Sequence, residues 1–218
     1  MKQKTVFFIT AISLLLAFVA GALFYKNQKE KATNQLAETN RASLVRMHSP
    51  TMGKADAPVV IVEFLDPACE TCGAFYPLVK QMMAANPDKI RIVLRHAPFH
   101  PGSDKVVAVL EAARRQDKFW PALEALLANQ AKWTENHRSN VDRVWPYLSG
   151  VGLNMEQMAI DITAPEIADV IAQDLADAKT LNVTMTPEFF VNGKPLPSFG
   201  FEQLKGLVDQ ALAESRVR

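Results

Sequence analysis

The sequence predicts a mixed α/β fold in which a parallel strand-helix-strand unit is separated by a long helical insertion from a closing hairpin and helix. Three stretches carry this expectation. "VVIVEFL", Val59 to Leu65, and "KIRIVLR", Lys89 to Arg95, are β-branched runs of strand length; between them, Cys69 to about Ala85 has apolar residues at helical spacing, Phe75, Leu78, Val79 and Met82. From Ser103 to about Leu181 the apolar periodicity is helical throughout. After it, Asn192-Gly193 lies between apolar residues in "PEFFVNGKPL", a strong short-range hairpin signal.

Taken in order, the chain begins with residues 1–25, where Lys2 and Lys4 precede the uncharged run Thr5 to Tyr25. That run reaches the roughly 20 residues a bilayer-crossing helix needs. A cleaved signal peptide has a shorter apolar core, about 7 to 15 residues. Ala20-Gly21-Ala22 formally supplies a cleavage site, but the apolar run continues through Leu23, Phe24 and Tyr25, so a retained anchor is the preferred reading. Lysines on both sides leave its orientation open. Residues 26–50 are polar and lack glycine, and read as a partly helical tether. The folded domain is expected over residues 51–218. Its first strand follows Ala57-Pro58, Asp66-Pro67 makes the turn into the first helix, and Asn86-Pro87 ends that helix. The crossover to the second strand should be right-handed. The insertion, about 103–181, divides into helical pieces at Val106 to Ala113, Phe119 to Leu127, Val141 to Leu148, Met155 to Ile160 and Ile167 to Leu181, and a last helix spans Phe201 to Ala213.

A chain of 218 residues with 24 basic and 23 acidic side chains has room for one substantial core and no basic run with which to wrap nucleic acid. The chemistry is concentrated at "DPACETCGAF", which holds the only two cysteines. A Cys-x-x-Cys at the start of a helix places the first sulfur beside free backbone N-H groups and the positive end of the helix dipole, both of which favour the thiolate. Cys69 is thereby the candidate nucleophile, and Cys72, one turn on, is placed to resolve a mixed disulfide. A structural staple is disfavoured because two intervening residues constrain the unfolded chain little. A zinc site would need two further ligands, and the four histidines (48, 96, 100 and 137) are not spaced as a partner pair.

These residues resemble the DsbA family of the thioredoxin superfamily, in its membrane-tethered or secreted branch. The resemblance rests on Glu63 six residues before Cys69, Pro77 five after Cys72, "RHAPFHPGSD", "QDKFW" and "TPEFFVNGK", and covers roughly Pro58 to Ala213. It implies a thioredoxin-like fold with an all-helical insertion, preceded by a transmembrane or signal helix. It further implies a cis peptide before Pro187, with Thr186 and Pro187 facing the cysteines and binding substrate backbone. Glu63 is then a buried acid beneath the site, able to take the proton of Cys72; the alternative is an exposed strand edge with no role. Two departures bear on the redox potential: Glu70-Thr71 stands between the cysteines where strong oxidants of the family tend to have Pro-His or Pro-Tyr, and Glu188 stands where Thr or Ser is more common. A carboxylate about 4 Å from a thiolate costs about 1 kcal/mol in water, which implies a milder oxidant.

The function implied is thiol-disulfide exchange in extracytoplasmic proteins, as a dithiol oxidase, with a reductase or isomerase as the alternative. Such a protein belongs in the bacterial periplasm or on the extracytoplasmic face, where disulfides persist, anchored by residues 5–25. Its partners would be reduced or unfolded client proteins and a membrane redox protein, DsbB-like for an oxidase or DsbD-like for a reductase; no organic cofactor is implied. A rival reading is a periplasmic Cu(I) site on the same thiolates, with Met47, Met52, Met82, Met83 or Met185 as soft ligands. The default for those methionines, for His96 and His100, and for Trp120, Trp133 and Trp145 is local packing and hydrogen bonding.

Overall fold

The computed structural model describes residues Lys2 to Arg216; Met1, Val217 and Arg218, at the ends of the expected leader and domain, lie outside the described residues. The chain divides into two compact units, Met1–Thr39 and Asn40–Arg218. Helix α1 (Lys2–Leu44) supplies the first. Within it Phe7–Lys29, 23 residues of mean hydropathy 2.5, is long and apolar enough to cross a membrane, and none of it is buried. The tether expected over residues 26–50 is helical as far as Leu44. Its last part belongs to the domain, because Leu44 is buried in the core and Ser49 and Pro50 are buried beside it.

The second unit is built on a five-stranded sheet of order β1-β3-β2-β6-β7. Strand β2 (Val59–Leu65) runs parallel to β3 (Ile90–His96) and antiparallel to β6 (Glu188–Val191), so it is central. Apart from Glu63 its residues are all apolar and mostly β-branched, as a strand covered on both faces requires. Helix α2 (Glu70–Ala85) provides the crossover and ends at Asn86, whose N-H donates to the Met83 carbonyl. The sheet edges are two residues long: β1 (Thr51–Met52), antiparallel to β3, and β7 (Lys194–Pro195), antiparallel to β6. The β6-β7 hairpin turns at Asn192 (φ 48°) and Gly193 (φ 83°), as the Asn-Gly pair predicts. Asn192 also pins the hairpin to the sheet, its side chain accepting from the Val60 N-H and donating to the Pro58 carbonyl. Helix α9 (Phe201–Ser215) closes the chain.

Strand alternation divides the core. Val59 and Ile61 face Phe75, Val79 and Met82 of α2 and Leu204 and Val208 of α9, whereas Val62 and Phe64 face Leu44, Ala178 and Leu181. The insertion consists of α3 (Ser103–Arg114), α4 (Phe119–Ala128), α5 (Gln130–Trp133), α6 (Trp145–Leu148), α7 (Met155–Asp161) and α8 (Pro165–Thr180). It is not wholly helical. A ribbon of β4 (Thr134–Glu135) and β5 (Arg138–Ser139) interrupts it, turning at Asn136 and His137, both at positive φ. The helix expected from Val141 to Leu148 is a 3-10 turn at Val141–Arg143 followed by α6, with Pro146 in the first turn of α6, where a missing N-H is tolerated. Trp133 is fully buried, and Trp120 and Trp145 pack on the same core, as the default reading of the tryptophans has it.

Alternation also leaves one ion cluster in the second layer. Arg95 of β3 is fully buried; it donates to Asp174 from Nε (3.0 Å) and Nη2 (2.6 Å), to Asp177 from Nη2 (2.6 Å), and to the Ser43 carbonyl. Its guanidinium lies 5.4 Å from the centre of the Phe64 ring. Arg46 makes a bidentate pair with Asp177, and His48 Nε2 lies 2.7 Å from Asp174 Oδ1. The end of the expected tether is thereby fastened to α8.

Candidate active site

Cys69 is the N-cap of α2 in extended conformation, and no side chain caps the helix. The first-turn N-H groups are left for its sulfur. A hydrogen bond from the Cys72 thiol lowers the Cys69 pKa most. Burial opposes it, and the Thr186 side chain and the Cys72 and Thr71 N-H groups add to the lowering, bringing it to about 5. Cys72 is the opposite case: burial, then the hydrogen bond to Cys69 and the charge of Glu63, push its thiol well above the usual value. Both cysteines are free and buried, so the reduced pair holds one activated and one inert sulfur.

Three further elements converge on this pair. The Thr186-Pro187 peptide is cis, and the Cys69 thiol donates to the Thr186 carbonyl at 3.1 Å. Glu63 is fully buried in the central strand, on the face occupied by Ile61 and Leu65, and among the described residues neither carboxylate oxygen has a hydrogen-bond partner. The exposed-edge alternative for Glu63 is therefore ruled out. Burial, and then the Cys69 charge, raise its pKa to about 8. Glu70 lies in the first turn of α2, where an acid suits the helix dipole, with its side chain 56% exposed. Burial also pushes the Glu188 carboxyl up.

Several residues that hold the site were not legible in the sequence. Asp66, fully buried, accepts from the Ala68 N-H, the His100 N-H, the Ser103 hydroxyl and, at 2.7 Å, His100 Nδ1. It ties the cysteine loop to the start of α3. Its spacing to Ala68 is that of an Asx turn, the one local signal available. Gln130 of α5 donates from Nε2 to the carbonyls of Pro67 (2.8 Å) and Cys69 (2.9 Å). Gly73 makes room for it, since a Cβ there would come within 2.9 Å of Gln130 Oε1. His137 Nδ1 lies 3.0 Å from Glu70 Oε2, and its ring stacks on His100 at 5.7 Å. His96 Nε2 lies 2.8 Å from Glu111 Oε1, while its buried Nδ1 has no hydrogen-bond partner among the described residues, so the local-satisfaction default holds for one ring nitrogen only. Met47 and Met185 are exposed, while Met82 is in the core. Among the described residues, no group of three or more His, Cys, Asp or Glu is arranged to hold a metal ion.

The reactivity of Cys69 is testable directly. A free cysteine is only a few per cent thiolate at neutral pH; with its pKa near 5, Cys69 is almost wholly thiolate there. Its thiolate fraction at neutral pH is about thirtyfold that of a free cysteine. Iodoacetamide alkylation of the reduced protein is expected to be flat above about pH 6 and to fall to half near pH 5. A midpoint near pH 8 to 9 would contradict the geometry described.

A sheet that sets one activated and one inert sulfur at a helix start, opposite a cis-proline loop, is an arrangement suited to thiol-disulfide exchange. The family model described as Thioredoxin matches residues 45–210, and the chain belongs to the thioredoxin superfamily, with a DsbA-like architecture. A thioredoxin-like oxidoreductase from Silicibacter pomeroyi is 33% identical, with a TM-score of 0.68 over 78% of this chain and 96% of that one. BdbD from Bacillus subtilis (23% identity, TM-score 0.67, 76% and 94% covered) and α-DsbA1 from Wolbachia pipientis (18%, 0.70, 82% and 98%) share the fold. The chain is also 31% identical over 144 residues to a Na(+)/H(+) antiporter NhaA from Herminiimonas arsenicoxydans, a match covering 66% of this chain and 22% of that protein.

Proposed function

We propose that the protein catalyses disulfide exchange in extracytoplasmic proteins as a dithiol oxidase, with Cys69 and Cys72 as the reacting pair. The observation that carries this reading is the asymmetry of the pair, Cys69 lowered to about 5 and Cys72 raised well above its usual value. A stabilised thiolate favours the reduced dithiol, and a couple whose reduced form is stabilised is oxidising. In the oxidised enzyme a client thiolate attacks Cys69 Sγ. The Cys69-Cys72 bond breaks, and Cys72 leaves with a proton from Glu63. A second client thiolate attacks the client sulfur of the mixed disulfide, and Cys69 leaves as a stable thiolate. Two electrons pass from client to enzyme. Thr186 and Pro187 hold the extended client backbone across the sulfurs, while Glu70 and Thr71 tune the couple.

Disulfide exchange belongs where disulfides persist, so the domain would lie outside the cytoplasm with the Thr5 to Tyr25 run as its retained anchor, and a DsbB-like membrane partner would reoxidise it. A DsbD-like donor would instead keep it reduced. Incubating the disulfide form with a reduced, unfolded client tests the reading: the client is expected to gain disulfides and Cys69→Ser to transfer none, while Cys72→Ser, mixed instead with a disulfide-bonded client, is expected to trap a mixed disulfide as Cys69 attacks the client disulfide and the client's other sulfur leaves as thiolate. Failure of the wild type to oxidise the client, with efficient reduction of disulfide-bonded insulin, would replace the oxidase with a reductase.

A further inference from the structure

We propose that His137, at the tip of the β4-β5 ribbon, is a positioning residue for this pair: it acts through Glu70 and makes the redox potential of Cys69 and Cys72 depend on protonation of an imidazole supplied by the insertion. The inference rests on the thiol-exchange reading above. The two carboxylates flanking Cys69 in the chain, Asp66 and Glu70, each hold an imidazole. Asp66 Oδ2 is 2.7 Å from His100 Nδ1, Glu70 Oε2 is 3.0 Å from His137 Nδ1, and the two rings stack at 5.7 Å with 26° between their planes. A carboxylate-imidazole-imidazole-carboxylate chain thus links the two acids that flank Cys69 in the sequence. The ribbon is held for this contact: Ser139 N-H donates to the Pro101 carbonyl, next to His100, and Gln130 at its base bonds the Cys69 carbonyl.

Glu70 is next to Cys69 in the chain, and an unpaired carboxylate near a thiolate disfavours its ionisation. An imidazolium on Glu70 cancels that charge, whereas a neutral imidazole leaves it in place. The groups facing His137 are Glu70 from α2 and His100 with Asp66 behind it; Glu135 and Arg138 lie on its own ribbon, and Lys105 of α3 lines the same groove. Of these, Glu70 is the one bonded to it and also adjacent in sequence to the reacting sulfur. Protonation of the imidazole on acidification therefore relieves the penalty of Glu70 and makes the couple more oxidising. The pair is exposed at both ends (69% and 56%), so the effect is modest.

The test is the equilibrium of the Cys69-Cys72 couple with glutathione, in which two glutathione thiols reduce the enzyme disulfide to the dithiol and form glutathione disulfide. It is measured with the full chain for wild type, His137→Asn, Glu70→Gln and the double variant, together with the Cys69 alkylation midpoint. Asparagine tolerates the positive φ at 137 (57°), so the ribbon persists. At about pH 5.5 His137→Asn is expected to make the couple less oxidising by about two- to fivefold in the equilibrium constant, the range of exposed ion pairs. The difference should vanish at about pH 8, and at both pH values in the Glu70→Gln background. No shift at the lower pH overturns the proposal; so does a shift that is equal at both pH values and survives in Glu70→Gln, which would mark a merely structural ribbon tip. A wild type that never equilibrates with glutathione overturns instead the exchange reading, and the inference falls with it.

Discussion

Arg95→Met is expected to lower the stability of the domain by about 3 to 5 kcal/mol, the cost of removing one partner from a buried ion cluster. Methionine fills much of the same volume, so the loss is electrostatic rather than a cavity. In the wild type, burial pushes the Asp174 carboxyl up, but the His48 hydrogen bond and the positive charges of His96 and Arg95 outweigh it and hold the pKa near 2. Asp177 is lowered in the same way by Arg46 and Arg95 against its burial. Without Arg95, Asp174 keeps His48 and the His96 N-H, and Asp177 keeps Arg46, but both lose the donor that bridges them. The sign with pH follows. A carboxylate with a depressed folded pKa contributes stability above its ordinary value near 4 and loses it as pH falls through its folded pKa, here about 2 for Asp174. Arg95→Met should therefore be most destabilising at neutral pH and approach wild type in acid. Urea unfolding at neutral pH and near pH 3 measures both; an equal loss at the two pH values would show that packing, not charge, is the function of Arg95.

Glu63→Gln is expected to do the reverse and stabilise the protein. Both oxygens of Glu63 are buried without partners, and the folded pKa stands near 8 against an ordinary 4.5. Between those values the unfolded chain releases the proton and the folded one retains it, so native stability declines as pH rises through that window and is unaffected below it. At neutral pH the handicap is about 3 kcal/mol, which the neutral amide removes. Chemical unfolding of the reduced variant should show that gain at pH 7 and none at about pH 4. The gain comes with a loss of activity. An amide cannot give Cys72 its proton as it leaves, so formation of the mixed disulfide, and with it client oxidation, is expected to slow. A variant stabilised at neutral pH yet fully active would leave Glu63 as an unused buried acid.

The parts of this protein that were legible in the sequence are those fixed by local pattern. Val59 to Leu65 is the central strand because seven consecutive residues suit burial on two faces, and Asn192-Gly193 turns a hairpin because its backbone demands that dipeptide. Cys69 and Cys72 declare themselves through their spacing and their place at a helix start. What escaped is distant in the chain. Gln130 reaches the Cys69 carbonyl across 61 positions, and His137 reaches Glu70 across 67; no window of sequence connects them. The β4-β5 ribbon was hidden for another reason: two-residue strands with charged and polar side chains carry no alternating signature. The Ser43 to His48 segment read as tether because its anchoring is ionic, and an arginine or histidine is judged exposed until its buried partners, here Asp174 and Asp177, are known.

The two short sheet margins, Thr51–Met52 and Lys194–Pro195, have a consequence for the proposed exchange with unfolded chains. An open margin with a long row of unpaired amides is a template on which an extended chain can grow the sheet and nucleate a fibre. Here one margin ends after two residues, and the other carries a proline, which has no amide to offer, beside a lysine. Incoming polypeptide is thereby denied a resting place at the rim. On the proposed function it would be held only where the Thr186 backbone meets the sulfurs and released when the reaction is over, so exchange among aggregation-prone chains would not seed their assembly.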